Sequence, residues 1–550
     1  MATKVQGLVN SLLVQSCPKL NVFVKYALVE LTTLSPKGIP AIRHDVKPQM
    51  GKSNIPDFIK NLVEKRPRGS IAEENPLYWT NHSQNEIRKL LKNKSLPIRA
   101  KNIILFVGDG MSLPTVTAAR IYKEQKNGKT GESSSLSFDN FQHTGITKTY
   151  CVDSMVADSA CTATAYLCGV KTNFFALGVN GKTNILNCSS AMDPANQVDS
   201  IVSWAQEAGK CTGIVTTTTV THASPGGAYA KIANRFYESD LEVKLFEEDP
   251  KTCQDIASQL IENQPGRDIN VIMGGGRTNF LPNTDIDSIS GKPGKRLDGK
   301  NLIEKWKKNN PNQAYVTNRD ELLNIDLRKT SKILGLFQPQ HLDFNLNRDN
   351  KIQPSLEEMT ESAIKLLSKN PKGYFLFVEG GRIDHAHHLT QTHMAIDETI
   401  QFEKAIKKAR DMTNPLNTLI VVTSDHSHTM SISGYPKRNN DILGVNEGDL
   451  ASDGVSYFIL NYANGPENYL NNGKRYNISD DLIKDPGFLY PSYVPMEAET
   501  HGGDDVAVFA DGPYSHFFSG VYEQNDIPHK LAFASCIGRG ITHCRRYPLK

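Results

Sequence analysis

Four stretches of this sequence gather residues able to hold a metal ion or attack an electrophile. They are Asp158-Ser159-Ala, Glu379-Gly-Gly-Arg-Ile-Asp384-His-Ala-His387-His388, Asp425-His426-Ser-His428 and Thr500-His501-Gly-Gly. Asp384 and His388 stand four apart, so a helix starting there puts both on one face at chelating distance. Asp425, His426 and His501 add a carboxylate and two imidazoles. Mixed carboxylate and imidazole sets suit zinc, whereas oxygen-only donors such as Glu379 and Ser224 suit magnesium; Asp109 could bridge two ions. A single histidine in such a place is ordinarily a satisfied core or surface residue. Recurrence across several clusters is what points to a metal centre.

Ser159 opens a run of small residues, Ala160 to Ala165, followed by an apolar turn and Gly169. This reads as a helix with Ser159 in its first, solvent-facing turn and a glycine cap at its end. The plainer reading is that Ser159 only caps the helix. The other reading uses the orphan N–H groups and positive dipole end, which suit a phosphate or a developing anion. A serine beside two zinc ions fits in-line displacement at phosphorus, one ion lowering its pKa and the other holding water or the leaving oxygen. Arg235 could grip the remaining phosphate oxygens as a fork.

The elements that must position these groups are short, continuously apolar runs. They cover 103–109, 213–218 (leading to His222 and Ser224), 270–274, 374–379, 419–426 and 506–510. Continuous rather than alternating hydrophobicity means burial on both faces, as in a parallel sheet. Helical patterns lie between, among them the capping box Ser355-Leu-Glu-Glu358 with Gly373 beyond the helix end. The expected fold is a three-layer α/β/α sandwich with a largely parallel central sheet. In such folds ligands collect at the carboxyl ends of strands, where Asp109, Glu379, Asp425 and His426 fall. Gly274-Gly-Gly276 lacks dinucleotide-binding spacing and reads as a tight turn. Residues 436–499 are rich in Asn, Asp and Gly, with one strand expected over 455–460, and read as a small insertion.

The bulk numbers fit a soluble globular protein: 550 residues, 39% hydrophobic and 22% charged. A net charge of +3 is too small to suggest a nucleic-acid footprint. Residues 1–72, with eleven Lys/Arg against four Asp/Glu, form a loosely structured extension. The amino terminus lacks the form of an ordinary signal peptide, no stretch qualifies as a transmembrane helix, and the carboxyl end has no lipid-anchor tail. Nine cysteines leave at least one unpaired, and no CxxC pair marks a zinc ribbon. Asn81, Asn93, Asn187 and Asn477 begin glycosylation sequons, which matter in a secreted glycoprotein.

The four motifs together, with Thr162-Ala-Thr-Ala165 and Val378-Glu-Gly-Gly-Arg-Ile-Asp384-His, resemble the alkaline phosphatases of animals over residues 73–544, leaving 545–550 as a tail. The resemblance implies hydrolysis of phosphate monoesters through a phosphoserine on a two-zinc, one-magnesium site. It implies Ser159 as nucleophile and Arg235 as phosphate clamp. Asp384, His388 and His501 would hold one zinc; Asp109, Asp425 and His426 the zinc beside Ser159; and Asp109, Ser224 and Glu379 the magnesium, with His222 close by. It pairs Cys188 with Cys253 and Cys536 with Cys544, leaving Cys17, Cys151, Cys161, Cys168 and Cys211 free. It further implies a homodimer, with a helix over 75–92 reaching the partner and Tyr435 near the partner's site. The 436–499 insertion would be the family's crown, and the location extracellular or at the cell surface. Two positions depart from the family pattern: Ser112 and Cys161. Gln338 and Gln353 also stand where many relatives have calcium-binding carboxylates, with only Asp285 or Asp287 nearby, so three metals per subunit are expected, not four. A sulfatase would need C/S-x-P-x-R around its nucleophile, which Ser159 lacks. A catalytically dead relative would have lost a ligand or the serine, and none is missing.

Overall fold

The computed structural model describes residues 98–544 apart from 184, 247, 309–311 and 539–543. The extension over 1–72, the helix expected over 75–92 and the tail 545–550 lie outside the described residues.

Ten strands form one sheet: β1 (Asn102–Gly108), β2 (His143–Lys148), β3 (Cys211–Thr219), β4 (Val271–Gly275), β5 (Gln313–Val316), β6 (Lys332–Leu336), β7 (Tyr374–Gly380), β8 (Thr418–Ser424), β9 (Val506–Asp511) and β10 (Gly520–Glu523). Their order is β10-β2-β9-β8-β1-β7-β3-β4-β6-β5. Seven neighbours, from β8 to β5, run parallel. The run at 506–510 is buried as expected, but β9 pairs antiparallel with both β8 and β2. Burial on two faces, not strand direction, is what a continuous apolar run records. Strands β2, β5, β6 and β10 had not been expected; β2 alternates in burial and β10 is mostly exposed, so neither carries a continuous apolar run.

Alternate side chains of the central strands feed two cores. Ile103, Leu105, Val107, Phe375, Phe377, Leu419 and Val421 face helices α2 (Ser159–Cys168) and α6 (Asp526–Ser535). Ile104, Phe106, Leu376, Val378, Ile420 and Val422 face α3 (Leu356–Leu367) and α5 (Thr392–Met412). That is the three-layer arrangement, with α1 (Leu113–Gln125) and α4 (Arg382–His388) directly following strand ends. Ser355 caps α3 in the expected box, its hydroxyl taking Glu358 N at 3.1 Å while Glu358 takes Ser355 N at 2.9 Å. Ser112, one of the two departures, caps α1 by accepting Thr115 N.

Two expectations shift. Gly274 and Gly275 belong to β4, and the turn begins only at Gly276, whose φ of +95° needs glycine. In the 436–499 region the strand lies at Leu460–Gly465, between Met430–Ile432 and Ser492–Pro495, not at 455–460. Phe458, Ile459, Leu460 and Tyr462 are all buried in one core, so the apolar run begins before the strand does.

Candidate active site

Parallel register sets Gly108 opposite Ser424 and Val107 opposite Glu379. Asp109 and Asp425 therefore emerge side by side from β1 and β8, next to Glu379 near the end of β7. The chain must then turn sharply: Gly110 has φ +66°, and a side chain there would collide with His428. Its N–H donates to Asp425 Oδ1 at 2.9 Å, fixing that carboxylate.

Ser159 is the first residue of α2, and Asp158 before it is the cap. Asp158 takes the N–H groups of Ala160 (3.0 Å) and Cys161 (3.2 Å), so the orphan donors expected to face a phosphate are largely consumed by this side chain. The small residues of α2 pack directly on the sheet, and Gly169 closes the helix at φ +74°. Ser159 is 1% exposed, so the helix start is not solvent-facing; it is buried under the ligand groups. Its Oγ lies 3.4 Å from Asp109 Oδ1 and 3.1 Å from His426 Nε2.

Tautomers follow from the hydrogen bonds. His501 Nδ1–H donates to the Ala157 carbonyl at 2.7 Å and His388 Nδ1–H to the Glu499 carbonyl at 2.5 Å. Both Nε2 atoms must then carry lone pairs, yet they face each other at 3.1 Å, beside Asp384 Oδ1 at 3.2 and 3.4 Å. Two acceptors and a carboxylate aimed at one point are satisfied by a cation. His426 repeats the pattern: its Nδ1–H donates to the Ser427 carbonyl, and Nε2 faces Ser159, Asp109 and Asp425. The third set is Asp109, His222 and Glu379, with Ser224 inside the short helix Ala223–Gly226 after β3. Asp109 Oδ2, Asp425 Oδ2, Glu379 Oε1 and Ser224 Oγ are all buried without a hydrogen-bond partner. Buried oxygens left unpaired are costly, so four together mark where cations belong. The donor sets fit: imidazole with carboxylate for two zinc ions, oxygen-rich for magnesium.

Crowding shows in the titration of these acids. Burial, then the charges of Asp425, Asp384 and Glu379, push Asp109 well above the usual carboxylate range. Burial pushes Glu379 up to about 7, against the hydrogen bonds of Thr216 and Thr218. Burial also drives His426 well below its ordinary value and His388 down to about 4, keeping both neutral and able to ligate.

Arg235 reaches this cluster from the other side. Its NH1 donates to Asp158 Oδ2 at 3.1 Å and its NH2 to His222 Nε2 at 3.2 Å. All the residues expected from the sequence thus converge. His387, although inside the motif, does not: both ring nitrogens are engaged, with Thr115 and Tyr462, in the core.

Several residues were not legible beforehand. His428 lies 2.8 Å from Asp384 Oδ1, and Glu499 holds its other nitrogen at 2.5 Å. Burial disfavours the charged ring, but Glu499 and Asp384 push His428 up to about 10. The spacing Asp425-His426-Ser-His428 was a signal for His428; nothing local announced Glu499. A two-residue antiparallel bridge, Ser427–His428 against His501–Gly502, brings His501 into place. Thr216 and Thr218 on β3 donate to Glu379 Oε2.

The cysteines require one correction. Cys188–Cys253 and Cys536–Cys544 are bridged as expected, but so are Cys151 and Cys161, at a Cα separation of 5.8 Å. Ten residues apart in sequence, they meet because the loop before α2 folds back on its first turn. Among the described residues Cys168 and Cys211 remain free.

A calcium site does not fit. Gln338 and Gln353 both donate their amides to Asp343 Oδ2, and Gln353 Oε1 accepts Asp343 N. Asp287 is locked by two bonds from Arg277, at 2.7 and 2.9 Å. At the two glutamines the oxygens are neutral amides, and the Asp287 carboxylate is already paired with Arg277.

The fold and this gathering of groups define a metal-assisted hydrolase of the three-layer α/β/α type. The family model described as alkaline phosphatase matches residues 100–537. The chain is 46% identical over 480 residues to the tissue-nonspecific alkaline phosphatase of Rattus norvegicus, covering 86% of this chain and 91% of that one. It is 45% identical over 488 residues to a membrane-bound alkaline phosphatase of Bombyx mori, covering 86% and 88%. Among solved structures, a mutant of the alkaline phosphatase of the Antarctic bacterium TAB5 with Mg bound in its M3 site is 25% identical with a TM-score of 0.57, over 81% of this chain and all of that one. The cold-active enzyme of a Shewanella species gives 0.57 at 23% identity, over 80% and 100%, a likeness of fold. The chain belongs to the alkaline phosphatase family and is a phosphoric monoester hydrolase.

Proposed function

We propose that this chain hydrolyses phosphate monoesters through a phosphoserine at Ser159, on a site for two zinc ions and one magnesium ion. Asp384, His388 and His501 hold one zinc; Asp109, Asp425 and His426 hold the other; Asp109, Ser224 and Glu379 hold magnesium. The observation that carries the reading is the facing pair of imidazole lone pairs beside Asp384, with Ser159 Oγ at the neighbouring group. When bound, the cations supply positive charge that lowers the proton affinity of the serine hydroxyl and of water, and that stabilises the transferring phosphoryl group. Arg235 forks two phosphate oxygens, and Asp158, which accepts from its NH1, orients the guanidinium. Ser159 Oγ gives up its proton and bonds to phosphorus as the ester oxygen leaves and takes a proton to become the alcohol. Water then bonds to phosphorus, the Ser159 Oγ–P bond breaks, the hydroxyl regains a proton and inorganic phosphate departs.

Homodimerisation is part of the proposal, supported by exposed Tyr435, Tyr493, Val494 and Met496 on and beside the small sheet at 430–495. Work outside the cytosol is supported by the three bridges. No helix among the described residues is long and apolar enough to cross a membrane.

The decisive experiment is Ser159→Ala. The substitution suits a helix start and removes only a buried hydroxyl, so stability should stay within about 1 kcal/mol. Turnover of an aryl phosphate should fall by at least about 10⁴-fold. Parent-like kcat in pure, metal-loaded mutant rules out the phosphoserine.

A further inference from the structure

The Cys151–Cys161 bridge sits where it acts on the reaction as well as on the fold. It closes a loop ten residues long in sequence separation, and the last members of that loop each touch the site. The Ala157 carbonyl accepts His501 Nδ1–H at 2.7 Å. Asp158 accepts Arg235 NH1 at 3.1 Å, the Ala160 and Cys161 amides, and Phe175 N at 3.0 Å. Ser159 faces Asp109 and His426.

Residues 149–157 contain neither helix nor strand, and Val152 and Met155 are 57% and 86% exposed. Other ties come from 171–174: Lys171 Nζ donates to the Tyr150 carbonyl, Val152 N to the Thr172 carbonyl and Phe174 N to Asp153 Oδ1, all on the outer part of the loop. The bridge is the covalent link from this loop to the first turn of α2. Cys151, Cys161 and Ala157 form a small buried cluster with Phe174 packed against it.

We propose that the Cys151–Cys161 bridge is a positioning element of the active site. By holding residues 151–157 against the start of α2, it fixes the Ala157 carbonyl and the Asp158 carboxylate, and through them the His501 ring and the Arg235 fork. Opening the bridge restores conformational freedom to the loop. A shift of about 1 Å in a clamping group is enough to cost about 100-fold in rate. The clearest consequence is weaker phosphate capture, because among the described residues Asp158 is the carboxylate within ion-pair distance of Arg235. The proposal rests on the roles given above to Ser159 and Arg235.

The test is Cys151→Ala/Cys161→Ala, loaded with zinc and magnesium and assayed well below its melting temperature. The expected result is a KM and an inhibition constant for inorganic phosphate each raised by about tenfold, with kcat changed less. Unchanged KM and phosphate inhibition overturn the proposal, whether or not the melting temperature falls, since lost stability alone marks a purely structural bridge. Should the variant fail to fold, the folded parent is treated with tris(2-carboxyethyl)phosphine in metal-supplemented buffer. The phosphine takes oxygen from water as the bridge gains two electrons and two protons. Labelling of Cys151 and Cys161 with phosphate inhibition unmoved is then the refuting outcome; a weakened inhibition that recovers on reoxidation supports it. Failure of the Ser159 reading shows separately, as turnover by Ser159→Ala with both cysteines intact.

Discussion

Glu379→Gln should stabilise the metal-stripped protein and weaken the loaded one. Glu379 is fully buried; burial lifts its pKa from 4.5 to about 7, and its Oε1 has no partner. The folded state therefore binds this proton more tightly than the unfolded chain. For a raised carboxylate the stability is complete below 4.5 and is lost as pH climbs to about 7. The gap is worth about 3 kcal/mol of destabilisation at pH 8. Glutamine removes that charge. Its carbonyl can still accept from Thr216 and Thr218, leaving an unpaired amide where Oε1 stood, at a cost of about 1 kcal/mol. The net expectation in stripped protein is a gain of about 2 kcal/mol at pH 8 and a loss of about 1 kcal/mol at pH 4.5. In loaded protein the sign reverses, because a ligand is gone: stabilisation by a cation at 100 times its Kd is about 2.7 kcal/mol, and most of it is lost at the affected position. Urea midpoints of both proteins, chelated and loaded, at pH 4.5 and 8 give all four numbers. If stripped Glu379→Gln is no more stable than the parent at pH 8, the argument that this buried carboxylate waits for a cation is wrong.

Glu499→Ala should lower zinc content at the Asp384–His388–His501 set and cut kcat/KM by about 10- to 100-fold, since Glu499 holds His428 and Thr429 around those ligands; metal analysis beside kinetics checks it, and full zinc with parent kinetics refutes it. Alkylation of denatured, unreduced protein followed by peptide mapping should label Cys168 and Cys211 but none of Cys151, Cys161, Cys188, Cys253, Cys536 or Cys544; labelling of Cys151 and Cys161 would falsify the third bridge. Elemental analysis after dialysis against micromolar calcium should find no tightly held calcium, because Gln338 and Gln353 are neutral and Asp287 is paired with Arg277.

Much was legible in the sequence because it depends on near neighbours. The apolar runs ending in Asp109, Glu379 and Asp425 mark buried strands and their carboxyl ends. The four-residue spacing of Asp384 and His388 sets two candidate ligands on one helix face, and Ser355 with Glu358 marks a helix start. These signals follow from backbone periodicity and capping, which act over a few residues. The family motifs added which of those residues belong to one site.

What only the tertiary structure decided involves partners far apart in the chain. Ser159 meets Asp109 across 50 residues and His426 across 267, distances bridged by strand order and register rather than by any local pattern. β9 runs against its neighbours although its composition matches theirs, since burial is indifferent to direction. Glu499 becomes a support for His428 because a bridge between Ser427–His428 and His501–Gly502 folds two distant segments together. Cys151 and Cys161 pair because the loop doubles back on α2, so an odd count of nine cysteines could not say which were free. Composition and spacing name the groups, while the path of the backbone through the sheet chooses which of them touch.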